Sequence, residues 1–150
     1  MTQGNSFDDI KDEFLATVAK VVWCNVATVD TVGRPRSRVL HPMWEGSTGW
    51  ILTGRNSLKS KHLDENPNVS LAYIADPFKP IYVEATAEWV DDDDEKQYRW
   101  DWFKNTPEPC GYDPTPFFGS VDSPGLGLLK IVPRLIELYE LGGKRTIWKA

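Results

Sequence analysis

The sequence predicts an α+β fold in which short antiparallel strands build a barrel flanked by helices. Three observations carry that expectation. About seven or eight runs rich in β-branched and aromatic residues are separated by close turns. The clearest turn, Asp30-Thr31-Val32-Gly33, joins two such runs into a hairpin. Helical spacing is confined to a few segments between the strands. Repeats, linkers and low-complexity tracts are absent from the sequence, so residues 1–150 read as one domain. A chain of 150 residues buries roughly two-thirds of its unfolded surface.

The elements follow in order. Ser6 with Asp9 reads as an N-cap and acidic first turn, and Phe7, Ile10, Phe14, Leu15 and Val18 continue at helical spacing to about Lys20. Val21 to Val29 reads as a strand, the turn follows, and Pro35 to Trp44 returns as its partner. After Glu45-Gly46-Ser47-Thr48-Gly49, a third strand covers Trp50 to Thr53. Ser57 to Glu65, bounded by Asn66-Pro67, is a short helix, because the residue before proline avoids helical geometry. Strands over Val69 to Ala75 and Ile81 to Val90 flank the turn at Asp76-Pro77-Phe78-Lys79-Pro80. The run Asp91 to Glu95 caps a third helix, its carboxylates facing the positive helix end. Residues 106–125, rich in proline and aromatics, read as an ordered loop or short helical turn. Two strands, Leu126 to Val132 and Leu135 to Leu141, precede a Gly142-Gly143 turn and a last strand, Arg145 to Trp148.

Bulk properties exclude several classes of function. The formal charge of −5 and pI of about 5.0 argue against nucleic acid or an anionic membrane as partner. Cys24 and Cys110 stand far apart without metal-ligand spacing, as expected of reduced thiols. The first residues lack a signal-peptide pattern, and no apolar run is long enough to span a bilayer. The expectation is a soluble, cytoplasmic protein.

Two clusters carry chemistry. Thr53-Gly54-Arg55-Asn56-Ser57-Leu58-Lys59 runs from a strand end onto a helix N-terminus. Free N–H groups there, the Ser57 and Thr53 hydroxyls and the Lys59 ammonium suit a phosphate; the plain alternative is a capped surface helix with solvated lysines. On the strand after Gly33, Arg36, Arg38 and Leu40 share one face, and Ser37, Val39 and His41 the other. Two arginines on one face suit a bidentate grip on phosphate or carbonyl groups, or simply an exposed charged hairpin. His41 and His62 are too few and too far apart for a metal site, with His62 expected at the surface and His41 in the core or facing a pocket. The tryptophans read as core and subunit-interface residues.

Together these pieces resemble the pyridoxamine 5'-phosphate oxidase-like FMN-binding split-barrel family, from about Phe7 to the C-terminus and most strongly between Ala27 and Leu71. The resemblance implies a split β-barrel working as a homodimer, with flavin at the dimer interface. It maps FMN-contacting positions onto Arg38, Val39 and Leu40, a strand-end pair onto Leu52 and Thr53, and the phosphate Ser and Lys onto Ser57 and Lys59. Arg36 joins them as a second arginine of the strand. The C-terminal segment Val132 to Tyr139 resembles the family's last hairpin, which places Tyr139 and Lys149 at flavin-facing positions.

Departures define the member. Leu58 stands where the family has a phosphate-binding Arg, Met43 where it has a Lys and Pro80 where it has a Gln. The substrate-binding Arg-x-His becomes Arg145-Thr146-Ile147, which argues against a true pyridoxamine phosphate oxidase. The resemblance therefore implies an FMN-dependent oxidoreductase acting on its own small-molecule substrate. The alternatives are a deazaflavin-dependent reductase, with Arg55 and Lys61 receiving the longer anionic tail of that coenzyme, and a noncatalytic flavin- or haem-binding module.

Overall fold

In the computed structural model, which describes residues 2–4 and 6–150, β1 (Thr2–Gly4) precedes a 3-10 turn (Phe7–Asp9) and α1 (Lys11–Val18). Then come β2 (Cys24–Val29), β3 (Pro35–Leu40), β4 (Met43–Glu45), β5 (Thr48–Gly54), α2 (Leu58–Glu65), β6 (Asn68–Tyr73) and β7 (Ile81–Trp89). The chain ends with α3 (Asp93–Asn105), α4 (Thr115–Phe118), β8 (Leu126–Tyr139) and β9 (Arg145–Lys149). The strands run in the order β1-β9-β8-β7-β6-β2-β3, with β5 joining β8 to β4. All pairings are antiparallel except β1 with β9. This is an antiparallel split barrel with flanking helices.

Local chemistry explains most boundaries. The Ser6 hydroxyl accepts from the Asp8 N–H, and the Ser6 N–H donates to Asp9. The hairpin turn is closed by the Asp30 carboxylate, which accepts from the backbone of Val32 and Arg34, while Gly33 takes φ 88°. Asp92 caps α3 by accepting from the Glu95 N–H. The first helix differs from expectation, since the Ser6 cap opens a 3-10 turn and α1 proper starts at Lys11.

Two strand expectations need correction. The run Pro35 to Trp44 is not one strand: His41-Pro42 breaks it into β3 and β4. Conversely, Leu126 to Leu141 is not two strands. β8 is continuous because its two halves use one edge for different partners, Leu126 to Ile131 against β5 and Leu135 to Tyr139 against β9. Pro133 lies between those stretches, and the register against β7 shifts at Glu84/Ala85, so the proline sits at a bulge that bends the strand.

The barrel interior is filled by Phe14, Val26, Ile51, Leu71, Val83, Ile131 and Ile136, all essentially inaccessible. A second core packs α3 against the outer face of β5, through Trp50, Leu52, Trp100, Phe103 and Leu128. β5 is therefore buried on both faces, which fixes the position of its C-terminal residues. Those residues open the functional site.

Candidate functional site

The end of β5 delivers Thr53 and Gly54 to the start of α2. Ser57 is the N-cap residue, but its hydroxyl does not cap the helix. It donates to the Gly54 carbonyl at 2.8 Å and accepts from Lys59 Nζ at 2.9 Å. The Ser60 N–H bonds back to the Ser57 carbonyl, and among the described residues the N–H groups of Leu58 and Lys59 have no partner, which leaves them open toward an external acceptor. Lys59 is only 8% exposed, an unusual place for an ammonium without a counter-ion.

Arg38, on the neighbouring β3, reaches across β2. Its guanidinium donates to the Thr28 hydroxyl at 2.8 Å and to the carbonyls of Arg36 and Val26 at 3.0 and 3.3 Å. His62, from α2, meets the same Thr28 hydroxyl through Nδ1 at 2.7 Å. The expectation that His62 lies at the surface is thus wrong: it is buried, and it pins α2 to β2 through Thr28. Burial first, and then the Arg38 charge, pull the Lys59 ammonium below its ordinary range. Burial and the Arg36 charge act in the same direction on Arg38. Among the described residues, no carboxylate forms an ion pair with Arg36, Arg38 or Lys59.

Thr53 and Gly54 also line a cavity of about 680 Å³. Val39, Leu40, Leu52 and Thr53 line one side. The segment between α3 and α4 forms the other side, chiefly through Tyr112, Pro116, Phe117 and Phe118. That segment is held rigidly: the Tyr112 N–H donates to the Phe103 carbonyl, and Gly111 packs so closely that a Cβ would lie 2.2 Å from the Thr106 carbonyl oxygen. Burial pushes the Tyr112 phenol up to about 12, so it stays neutral.

The sequence-predicted residues thus divide. Val39, Leu40, Leu52 and Thr53 meet on the cavity wall, whereas Ser57 and Lys59, with the Arg38 charge close enough to act on Lys59, lie beyond Gly54 and outside the lining. Arg36 is exposed and borders a separate hollow with Lys61 and Arg34. Tyr139 lies at the end of β8 and Lys149 on β9, both outside this cavity. Arg55 is engaged elsewhere, stacked 4.7 Å over Trp89, donating to Ser60 at 2.9 Å and paired with Asp91 at 3.3 Å. The aromatic segment around Tyr112 and Phe117 was not singled out in the sequence, where prolines and rings without a period carry no positional signal.

A family model described as pyridoxamine 5'-phosphate oxidase matches residues 10–138. The chain belongs to the pyridoxamine 5'-phosphate oxidase-like family. Solved structures of this split-barrel type agree. A Clostridium acetobutylicum protein related to general stress protein 26 shares 17% identity at a TM-score of 0.76, over 95% of both chains. A pyridoxamine 5'-phosphate oxidase-related, FMN-binding protein from Nostoc punctiforme shares 17% at 0.68, over 91% of this chain and 87% of the other. An F420 reductase shares 17% at 0.62, over 81% and 93%. The haem storage protein HutZ of Vibrio cholerae shares 18% at 0.62, over 83% and 89%. At these identities the likeness establishes the fold. No curated protein matches the sequence.

Proposed function

We propose that the chain is an FMN-dependent oxidoreductase acting on a small-molecule substrate as a cytoplasmic homodimer. The observation that carries the flavin reading is the buried, unneutralised Lys59, with the half-buried Arg38 acting on it, beside the open N-terminus of α2. A protein keeps such charges where an anion completes them. Ser57, Lys59 and the first N–H groups of α2 would hold the phosphate. The chain at Arg38, Val39 and Leu40 and the Leu52-Thr53 edge would lie against the flavin ring. Bound flavin supplies the electron transfer, while the protein orients it and tunes its surroundings. Arg36 would add long-range attraction from the rim. Tyr139 and Lys149 would reach the equivalent site of the partner protomer, as expected of a cofactor held at a dimer interface.

The deazaflavin reading loses part of its support, because of the two cations expected to meet the longer anionic tail, Arg55 is already paired with Asp91 and Lys61 remains. The haem reading needs an axial ligand. His62 is engaged by Thr28, and burial raises both thiols, Cys24 to about 12, so the Nδ1 of His41, whose Nε2 is held by the Cys110 carbonyl, would have to serve. The test is titration of the purified protein with FMN, read by visible absorption. Saturation near one FMN per chain is expected, with affinity falling about a hundredfold in Ser57→Ala/Lys59→Ala through loss of charge-assisted hydrogen bonds. Unchanged affinity in that variant would remove the phosphate assignment.

A further inference from the structure

The cavity has another end, which the phosphate reading does not use. His41 sits at the Pro42 break between β3 and β4 and is only 9% exposed. Its Nε2 lies 2.7 Å from the Cys110 carbonyl oxygen. A carbonyl oxygen only accepts, so Nε2 carries the proton and Nδ1 keeps its lone pair. Among the described residues no group donates to Nδ1, and the ring borders the cavity. Burial holds the imidazole below its ordinary pKa, which keeps it neutral and preserves that acceptor.

The surroundings of His41 are aromatic. Tyr112 lies 4.7 Å away at a tilt of 35°, Trp23 at 5.4 Å and Phe103 at 6.4 Å, measured between ring centroids. Trp23 and Phe117 are 63% and 71% exposed at the mouth. The charged residues on the cavity wall are Glu108 and Asp113, and no lysine or arginine lines it. The cavity is thus polarised, with cations beyond Gly54 and carboxylates at the aromatic end. An anionic group placed near His41 meets repulsion and no counter-ion, whereas a flat ring gains stacking area.

We propose that this end seats a flat aromatic substrate without an anionic group, which donates an O–H or N–H to His41 Nδ1. The assignment rests on the flavin reading only in making that ring the redox partner of the cofactor; the recognition itself belongs to His41 and the aromatic wall. His41 is then a specificity-determining residue.

The probes are 2-naphthol, 2-methoxynaphthalene and 2-naphthoate, which present one ring as donor, non-donor and anion. Each is titrated calorimetrically into the wild-type protein, with and without FMN. In the wild type, 2-naphthol is expected to bind about fivefold to tenfold tighter than 2-methoxynaphthalene, the worth of one hydrogen bond, and 2-naphthoate weakest. His41→Phe, which keeps the ring packing, should bring the naphthol-to-methoxynaphthalene ratio to about one. Trp23→Ala, an exposed site that folding tolerates, should weaken all three probes alike and leave the ratio intact. Equal wild-type binding of donor and non-donor overturns the proposal, as do a ratio surviving in His41→Phe, a preference for naphthoate, absence of binding, and loss of naphthol binding when FMN saturates the site. Failure to bind FMN with the naphthol preference retained would sink the flavin reading alone and leave this recognition standing.

Discussion

Two cationic clusters in this protein, each centred on one buried cation, are built in opposite ways. Arg99 on α3 is completed from within: Glu45 accepts two of its hydrogen bonds at 3.1 and 3.2 Å and Glu95 a third at 3.0 Å. Its guanidinium also lies 4.0 Å over Trp50 and 4.9 Å from both Tyr98 and Trp102. Burial alone would depress Arg99, but the two carboxylates outweigh it and hold the group above its ordinary range. Lys59 and Arg38 have no such partners, and both are held below theirs. The first cluster is a structural clamp that ties α3 to β4. The second has no internal counter-charge among the described residues, and the proposed phosphate would supply one.

That contrast is sharpest under the same substitution. Arg99→Met leaves Glu45 and Glu95 facing each other and removes the stacking on Trp50. It should destabilise the protein by about 2 kcal/mol in urea melts, less than a fully enclosed pair because both carboxylates keep contact with solvent. Lys59→Met removes an unneutralised charge and should stabilise the unliganded protein by about 1 kcal/mol. A loss of stability in Lys59→Met would mean that Lys59 has a structural role like that of Arg99.

A pH series separates the clusters further. A lysine whose pKa is lowered on folding leaves the unfolded chain holding more protons between the folded value and the ordinary 10.5. Stability of the unliganded protein should therefore rise with pH through that window, and the rise should shrink in Lys59→Met. Arg99, raised on folding, contributes fully below its ordinary range and adds no slope near neutrality. The smallest effect belongs to Arg36→Ala. Its charge is exposed at the rim, so FMN affinity should fall about twofold at low salt and less as salt increases.

Much of the cationic end was legible in the sequence because its signals are local. The hairpin turn, the strand carrying Arg38 and the Ser57-x-Lys59 helix start each declare themselves within a few residues. The parts that were missed depend on distant partners. His62 is buried because Thr28, 34 residues away, offers it a hydroxyl. Arg55 is withdrawn from the site by Asp91 and Trp89, which lie on and beyond a later strand. β8 runs unbroken past Pro133 because one edge changes partner there, a fact of topology that no local pattern carries. The aromatic wall is similar, since residues 106–118 have no period and take their position from contacts with α3.

Lys59, Arg38 and the start of α2 are proposed to receive a phosphate. The most direct test compares FMN with riboflavin, which carries the same ring system without the phosphate, in the wild type and in Lys59→Met. The wild type is expected to bind FMN about a hundredfold tighter than riboflavin, and Lys59→Met to lose most of this margin while riboflavin affinity holds. Equal affinity of the wild type for FMN and riboflavin would contradict the proposal.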